Sequence, residues 1–162
     1  KPEFENVKVP LFSEVVEYCR THNIFMNIEI KPSCKKVAAR TGEKIAQATL
    51  DLFSGETDPS KIPLLSSFSA EALQAAQQVA PELDRATLYT IIPYDWRFQL
   101  QQLGCKALHT HYKTLTPHLA SLIKTSGYGL FVYTVNDRKL AEKMFSMDVD
   151  ALCTDRLDLW AA

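Results

Sequence analysis

Short apolar segments alternate with amphipathic segments along almost the whole chain, and this alternation limits the possible folds more than any other feature. The apolar segments have the length of buried strands, about four to eight residues. The segments between them space their apolar residues as helices do, as Phe12, Val15, Val16 and Cys19 illustrate. The sequence therefore predicts strands at residues 24–30, 62–68, 85–92, 105–110, 129–134 and 150–154, and helices at 12–22, 41–53, 69–79, 95–103, 116–125 and 137–147.

A helix between each pair of strands indicates a parallel sheet with helices packed against it. The nearly continuous apolar run at residues 130–133 agrees, because parallel strands are buried on both faces. The chain has neither a G-x-G-x-x-G segment after a strand nor a G-x-x-x-x-G-K segment, so nucleotide binding loses support. A doubly wound sheet and a (β/α)8 TIM barrel remain, and a barrel needs eight strands and typically about 250 residues. Six strands in 162 residues predict a TIM barrel that lacks its first two strands.

Composition restricts the function classes further. The formal net charge is −1, so no overall field points to nucleic acid or an acidic membrane. No apolar run has the length of a transmembrane helix, and the start carries no secretory pattern. The four cysteines form no C-x-x-C pair, which favours reduced, partly buried thiols over a zinc or redox site. We therefore expect one domain, residues 1–162, in the cytoplasm. Because Lys1 to Phe4 are not an initiator sequence, we also expect the chain to begin inside a larger protein.

Two charged residues end the first predicted strand and mark the candidate site. Side chains alternate along a strand, so Ile28 and Ile30 share one face while Glu29 and Lys31 share the other. A carboxylate and an ammonium on an otherwise apolar strand are costly unless they are paired or bound to something. At the C-terminal end of a barrel strand, a ligand or a metal is a common partner. A partly solvated ion pair without any chemistry is the alternative at this point.

Six stretches, in this order, resemble the glycerophosphodiester phosphodiesterase family, in particular its bacterial cytoplasmic members. They are residues 9–11 (VPL), 27–32 (NIEIKP), 64–68 (LLSSF), 80–83 (APEL), 132–136 (VYTVN) and 149–155 (VDALCTD). The resemblance implies a (β/α)8 barrel of the phospholipase C-like phosphodiesterase type. It also implies that the six predicted strands are barrel strands three to eight, and that the reaction is hydrolysis of glycerophosphodiesters to sn-glycerol 3-phosphate and an alcohol.

The resemblance also assigns roles to particular residues. Glu29 matches the family's metal-binding glutamate, and Lys31 matches the lysine that faces the phosphate. The implied cofactor is a divalent metal, Mg²⁺ or Ca²⁺, which is a hard cation that takes oxygen ligands. Phe68 is expected to form an apolar wall, and Tyr133, which stands where the family often has tryptophan, to line the glycerol pocket. Thr134, Asn136, Thr154 and Asp155 are expected to be structural.

The departures from the family pattern are as informative as the matches. The family's H-R-G, E-x-D and H-D motifs, which supply two histidines and further metal ligands, do not occur in these 162 residues. Glu29 is then one metal ligand of three, and a single carboxylate binds Mg²⁺ or Ca²⁺ weakly. His109 and His111 lie on one face at the end of the fourth predicted strand, near the barrel mouth. We expect His109 to be structural and take His111 as a candidate substrate contact. One of the two histidines is expected to form a hydrogen bond to a loop.

Two other functions remain open at this stage. Lys31 could act as the Schiff-base amine of a barrel lyase or aldolase. Alternatively, the chain could be a binding module that keeps the barrel fold without catalysis. In either case the expected ligand is a small molecule, with no nucleic acid and no membrane span. An open six-stranded sheet would expose two edges, so we expect either self-association or completion by an N-terminal segment.

Overall fold

The structure is a computed structural model that describes residues 7–160. It contains a single six-stranded parallel sheet in the order β1–β2–β3–β4–β5–β6. The strands are β1 (Asn27–Glu29), β2 (Leu64–Ser67), β3 (Arg85–Tyr89), β4 (Ala107–His111), β5 (Gly129–Tyr133) and β6 (Ala151–Leu152). The helices are α1 (Phe12–Thr21), α2 (Ala38–Phe53), α3 (Ala70–Val79), α4 (Trp96–Gln102), α5 (Pro117–Thr125) and α6 (Arg138–Phe145).

The strand order decides between the two predicted architectures. Every strand pairs with the next one in the sequence, as in a (β/α) barrel, whereas a doubly wound sheet reverses its order at a switch point. Helices α2 to α6 also pack on one face of the sheet. Their residues share the two core clusters with strand residues that all point to that side, among them Leu65, Leu108, Leu130 and Val132. The fold is therefore a partial TIM barrel of six strands, which confirms the predicted fold class.

Strand register places the remaining side chains in rows on the inner face of the sheet. Glu29 aligns with Ser66, Ala86 and Ala107 across β1 to β4. The next row toward the C-terminal ends contains Leu88, His109 and Phe131, and the row beyond it contains His111 and Tyr133. Residues that lie far apart in sequence therefore meet at the end of the sheet where β1 carries its charges.

Local sequence explains where three of the helices begin. The hydroxyl of Ser69 accepts a hydrogen bond from the backbone of Ala72 at the start of α3, and Thr116 caps α5 with Pro117 at its first position. At α6 the cap is Asp137, whose carboxylate accepts from the backbone of Leu140 at 2.8 Å. Ser69, Thr116 and Asp137 are the first residues of the predicted helices 69–79, 116–125 and 137–147, so these three predicted starts are confirmed.

Several predicted boundaries were wrong, mostly because strand length depends on pairing. β1 covers three residues rather than 24–30, and Ile24 and Phe25 are exposed beyond its start. β3 ends at Tyr89 instead of residue 92, and β6 contains only two residues. α2 begins at Ala38, three residues before the predicted start, because a 3-10 turn at Lys35–Val37 leads into it.

Lys1 to Phe4, on which the expectation about the start of the chain rests, lie outside the described residues. Within residues 7–160, no helix is both long and apolar enough to cross a membrane.

Candidate active site

The two charged residues of β1 stand at its C-terminal end and contact each other. Glu29 is the last residue of β1, and the Lys31 ammonium lies 3.3 Å from its carboxylate. Ile28 and Ile30 face the helices, and Ile30 is 2% exposed, which confirms the predicted division of faces. The Lys31 side chain is 75% exposed and that of Glu29 27%. The pair is therefore partly solvated, and its ammonium is accessible to an anion from the mouth of the sheet.

A cavity of about 760 Å³ surrounds this ion pair. Glu29, Lys31, Phe68 and Tyr133, four of the five predicted site residues, line it together with His109. His111 does not line the cavity, but its ring lies 5.9 Å from that of Tyr133 and perpendicular to it. The structure thus places the predicted residues of three separate strand ends around one space.

Two aromatic side chains form the apolar wall of the cavity. The Phe68 and Tyr133 rings are 6.0 Å apart and nearly perpendicular, and Phe68 is 55% exposed, so it is not a core residue. The Tyr133 hydroxyl donates a hydrogen bond to the backbone carbonyl of Tyr89 at 2.9 Å. Burial raises the pKa of Tyr133, so its hydroxyl stays protonated at neutral pH. This wall presents carbon rather than charge to a ligand.

His111 is oriented by the turn that follows β4. Its Nδ1 accepts a hydrogen bond from the backbone N–H of Lys113 at 3.2 Å, and its ring stacks on Tyr112 at 4.8 Å. An accepting Nδ1 carries no proton, so the neutral ring has its N–H on Nε2. His111 therefore supplies the predicted loop hydrogen bond and keeps one donor free of this interaction.

His109 is a buried residue of β4. It lies one row below His111, is 2% exposed and packs against the Phe131 ring at 4.6 Å. Its Nδ1 is buried and has no hydrogen-bond partner among residues 7–160. Burial lowers the pKa of His109 to about 4, so the ring is neutral at pH 7. The alternation of side chains along β4 predicted which face of the sheet His109 lies on, but not that its ring is fully buried.

Polar residues at the ends of β5 and β6 hold the rim together. The side-chain oxygen of Asn136 accepts from the backbone of Asp155 at 2.8 Å and from the hydroxyl of Thr154 at 3.1 Å. Its amide nitrogen donates to the Asp155 carboxylate at 2.9 Å. These bonds agree with the structural role expected for the three residues.

The described residues do not by themselves fit a divalent metal. Nowhere between residues 7 and 160 do three histidine, cysteine, aspartate or glutamate side chains come together. The other cavity carboxylate, that of Glu71, accepts a hydrogen bond from Ser69 at 3.0 Å. Glu29 is already paired with Lys31, and one carboxylate falls well short of the six or more oxygens that Ca²⁺ takes. The predicted Mg²⁺ or Ca²⁺ thus has one candidate ligand, Glu29, in this part of the chain.

The fold and the site together define a class: (β/α)-barrel proteins with an anion-accessible charge pair at the C-terminal ends of their strands. Comparison with known proteins makes this specific. The sequence profile of the glycerophosphoryl diester phosphodiesterase family matches residues 1–159, and the chain belongs to this family.

Individual relatives agree with the family assignment. A glycerophosphodiester phosphodiesterase of Caldanaerobacter subterraneus subsp. tengcongensis is 28% identical over 156 residues, which are 94% of this chain and 60% of that protein. An Oleispira antarctica phosphodiesterase, solved in complex with the product sn-glycerol-3-phosphate, superimposes with a TM-score of 0.83 at 28% identity over 95% of this chain and 60% of that chain. A Thermotoga maritima glycerophosphodiester phosphodiesterase shares the fold, with a TM-score of 0.71 at 20% identity over 98% of this chain and 65% of that one.

The matched region is only part of these relatives. The chain spans about 60% of the length of the Caldanaerobacter and Oleispira proteins. Whatever the remainder of those proteins contributes to their sites is therefore not among the residues described above.

Proposed function

We propose that this chain carries the phosphate-facing part of an active site that hydrolyses glycerophosphodiesters to sn-glycerol 3-phosphate and an alcohol. The observation that carries the proposal is the grouping of Glu29, Lys31, Phe68 and Tyr133 around one cavity at the C-terminal end of β1. Family membership and the product bound to the Oleispira relative support it.

Each of these residues has a task that its chemistry suits. The exposed ammonium of Lys31 binds the phosphodiester and stabilises negative charge that develops on its oxygens. The rings of Phe68 and Tyr133 pack against the carbon atoms of the glycerol moiety. His111, which lies beside Tyr133 but outside the cavity, offers its Nε2 donor to a substrate that extends past the Tyr133 ring. Glu29 holds Lys31 toward the cavity. We also propose Glu29 as one oxygen ligand of a divalent metal whose other ligands lie outside the described residues.

Hydrolysis breaks the bond between phosphorus and the oxygen of the leaving alcohol and forms one between phosphorus and an oxygen of water. One water proton ends on the alcohol, so a complete site needs a group to accept a proton and a group to donate one. Burial lowers the pKa of His109 to about 4, so at neutral pH its ring is not in the protonated form that donates and is only a weak base. We propose that the acid and base belong to the part of the relatives' length that this chain does not span.

Binding of sn-glycerol 3-phosphate tests the role of Lys31 without requiring turnover. Titration calorimetry with the 162-residue chain should detect binding, and Lys31→Met should weaken it at least about tenfold because the charge opposite the phosphate is lost. Lys36→Met is the matched control, since Lys36 lies in the same loop but does not line the cavity. Equal weakening by both variants would show a general effect of charge and would overturn the proposed site.

Activity is a second measurement on the same protein. We expect no release of sn-glycerol 3-phosphate from glycerophosphocholine, with or without Mg²⁺ or Ca²⁺, because the acid and base are missing from the described site. Metal-dependent release would contradict that account and would make His111 the candidate general acid or base.

The two alternative functions differ in how the site supports them. A Schiff-base amine must be unprotonated, which proteins achieve by burying it or placing it beside another cation. Lys31 is exposed and beside a carboxylate, so the lyase or aldolase function gains no support. A binding module without catalysis remains the second candidate, because the described residues supply a phosphate site without an acid and a base. The test is to join this chain to the region of a relative that it does not cover. Tight binding of sn-glycerol 3-phosphate without any hydrolysis by the joined protein would favour the binding module.

A further inference from the structure

Two charged side chains at the candidate active site have no task in the function proposed above. Lys35 and Glu71 line the same cavity as Lys31 and Glu29, and both are exposed. Among residues 7–160 neither of them forms an ion pair, whereas Lys31 is paired with Glu29. The cavity therefore offers one ammonium and one carboxylate in addition to the ammonium that faces the phosphate.

Neighbouring strand ends bring these two charges to one cavity. Lys35 begins the turn that follows β1, and Glu71 lies in the first turn of α3, shortly after β2. The hydroxyl of Ser67 joins the two segments, because it donates to the carbonyl of Ile30 at 2.7 Å and accepts from the backbone N–H of Ser69 at 3.0 Å. Ser67 is buried, so water does not compete for this link. The segments that carry the two charges are therefore held together.

The carboxylate of Glu71 is charged and held in place. Its Oε2 accepts a hydrogen bond from the Ser69 hydroxyl at 3.0 Å. Hydrogen bonds from its own backbone N–H and from that hydroxyl lower the pKa of Glu71, and the ammonium of Lys35 lowers it further. Lys35 thus lies near enough to act on Glu71 without forming an ion pair with it. Because a carboxylate accepts several hydrogen bonds, Glu71 keeps the capacity to bind a ligand.

These two charges restrict the alcohol that fits beside the phosphate. An alcohol with only a positive group, such as choline, would be attracted by Glu71 but repelled by Lys35. An alcohol with a further phosphate would be attracted by Lys35 but repelled by Glu71. A neutral alcohol would make use of neither charge. An alcohol that carries both an ammonium and a carboxylate matches both side chains.

We propose that Lys35 and Glu71 form the subsite for the leaving alcohol and select glycerophosphodiesters whose alcohol is an amino acid, such as sn-glycero-3-phosphoserine. Lys35 binds the carboxylate of the amino acid, and Glu71 binds its ammonium. The inference rests on the proposed function, because it takes the phosphate to lie at Lys31, and it deepens that function by naming the alcohol. Both residues determine specificity, and neither takes part in proton transfer.

Three ligands that differ only in the alcohol test the proposal on the 162-residue chain. sn-Glycero-3-phosphoserine carries both charged groups, sn-glycero-3-phosphoethanolamine lacks the carboxylate, and glycerophosphoglycerol lacks both groups. Titration calorimetry measures the dissociation constants, and phosphorus NMR of the same samples verifies that the ligands stay intact. We expect the serine compound to bind about threefold more tightly than the ethanolamine compound and about tenfold more tightly than the glycerol compound, because exposed ion pairs contribute modestly.

Single substitutions assign the two contacts. Lys35→Met should remove the preference for the serine compound over the ethanolamine compound. Glu71→Gln should remove the preference for the ethanolamine compound over the glycerol compound. Lys36→Met and Glu43→Gln are matched controls, because both residues are exposed and neither lines the cavity, and they should leave both ratios unchanged. Ratios of dissociation constants on one protein cancel a uniform loss of phosphate binding and any unfolded fraction.

The outcomes separate this inference from the proposed function. Equal binding of the three ligands, or binding of sn-glycerol 3-phosphate alone, would overturn the inference and leave the phosphate site intact. Tighter binding of the ethanolamine compound than of the serine compound would overturn it as well, because Lys35 would then contribute nothing. A serine preference that survives both Lys35→Met and Glu71→Gln would have the same consequence. If neither the three ligands nor sn-glycerol 3-phosphate binds, the proposed function is wrong and this inference fails with it.

Discussion

The guanidinium of Arg85 shows how a single charged side chain can hold two loops together. Arg85 opens β3, is 4% exposed, and donates hydrogen bonds to five backbone carbonyls. Three belong to the turn before β3, at Ala80, Pro81 and Leu83, and two to the turn before β4, at Leu103 and Gly104. Arginine suits this place because it offers five donors in a rigid plane.

Arg85→Met should lower the free energy of unfolding by about 3 kcal/mol, because several buried carbonyls would lose their donor. Urea unfolding followed by far-ultraviolet circular dichroism measures the change. Arg40→Met is the control, since Arg40 is exposed on α2, and it should change stability by less than about 0.5 kcal/mol. A loss for Arg85→Met as small as that of the control would mean that water replaces the guanidinium.

Protonation of His109 links the stability of the chain to pH in the neutral to acid range. Its pKa is about 4 in the folded chain, against an ordinary value of 6.5, because burial disfavours the charged ring. The unfolded chain takes up the proton first as the pH falls. The contribution to stability is therefore complete above pH 6.5 and is lost progressively as the pH falls toward 4.

Between pH 7.5 and pH 5 the unfolding free energy of the wild-type chain should fall by about 2 kcal/mol more than that of His109→Gln, which cannot take up the proton. Urea titrations of both proteins at the two pH values measure this difference, and the histidines common to both cancel. Parallel pH dependences would show that His109 keeps an ordinary pKa in the folded state.

At the scale of elements, the contact between α2 and α3 is unusually close. A Cβ atom at Gly42 in the middle of α2 would lie 2.1 Å from the backbone carbonyl oxygen of Ala72 in α3. Glycine in a helix interior costs about 1 kcal/mol relative to alanine. Here the loss is offset by an approach of the two backbones that no side chain permits.

Gly42→Ala should therefore destabilise the chain by about 3 kcal/mol despite alanine's better helix propensity, because the backbone of α3 must move away. Thermal unfolding measures the effect. Glu43→Ala, at the exposed next position of the same helix, controls for the gain in propensity. An increase in melting temperature for Gly42→Ala would show that the two helices separate at little cost.

At the scale of the whole molecule, two apolar clusters lie along one sheet. The larger contains Trp96, Leu100, Leu108 and Leu130, and the smaller contains Leu65. α3 joins them, because Leu73 belongs to the larger cluster and Ala72 and Ala76 to the smaller. The sheet joins them again through the pairing of β2 with β3 and of β3 with β4. We therefore expect the two clusters to unfold together.

Leu65→Ala removes a fully buried side chain from the smaller cluster and should cost about 3 kcal/mol. In a Trp160→Phe background, Trp96 alone reports on the larger cluster by fluorescence. Leu65→Ala should shift the denaturation midpoint measured by Trp96 fluorescence by as much as the midpoint measured by circular dichroism. An unchanged Trp96 midpoint would mean that the clusters unfold independently.

The sequence by itself determined the order and type of the elements, because hydrophobic period and capping are local properties. The period of two along β1 placed Glu29 and Lys31 on one face, and Ser69, Thr116 and Pro117 marked where their helices begin. The motif order then identified the family and the candidate site.

Only the tertiary structure decided what depends on neighbours from distant parts of the chain. Pairing on one side limited β1 to three residues, and register brought Phe68 and Tyr133 to the charge pair. Packing against neighbouring strands buried the His109 ring. The close approach of the α3 backbone explains why residue 42 of α2 is a glycine. Periodicity states which way a side chain points, whereas its surroundings, and hence its protonation and partners, follow from packing between elements that the local pattern does not contain.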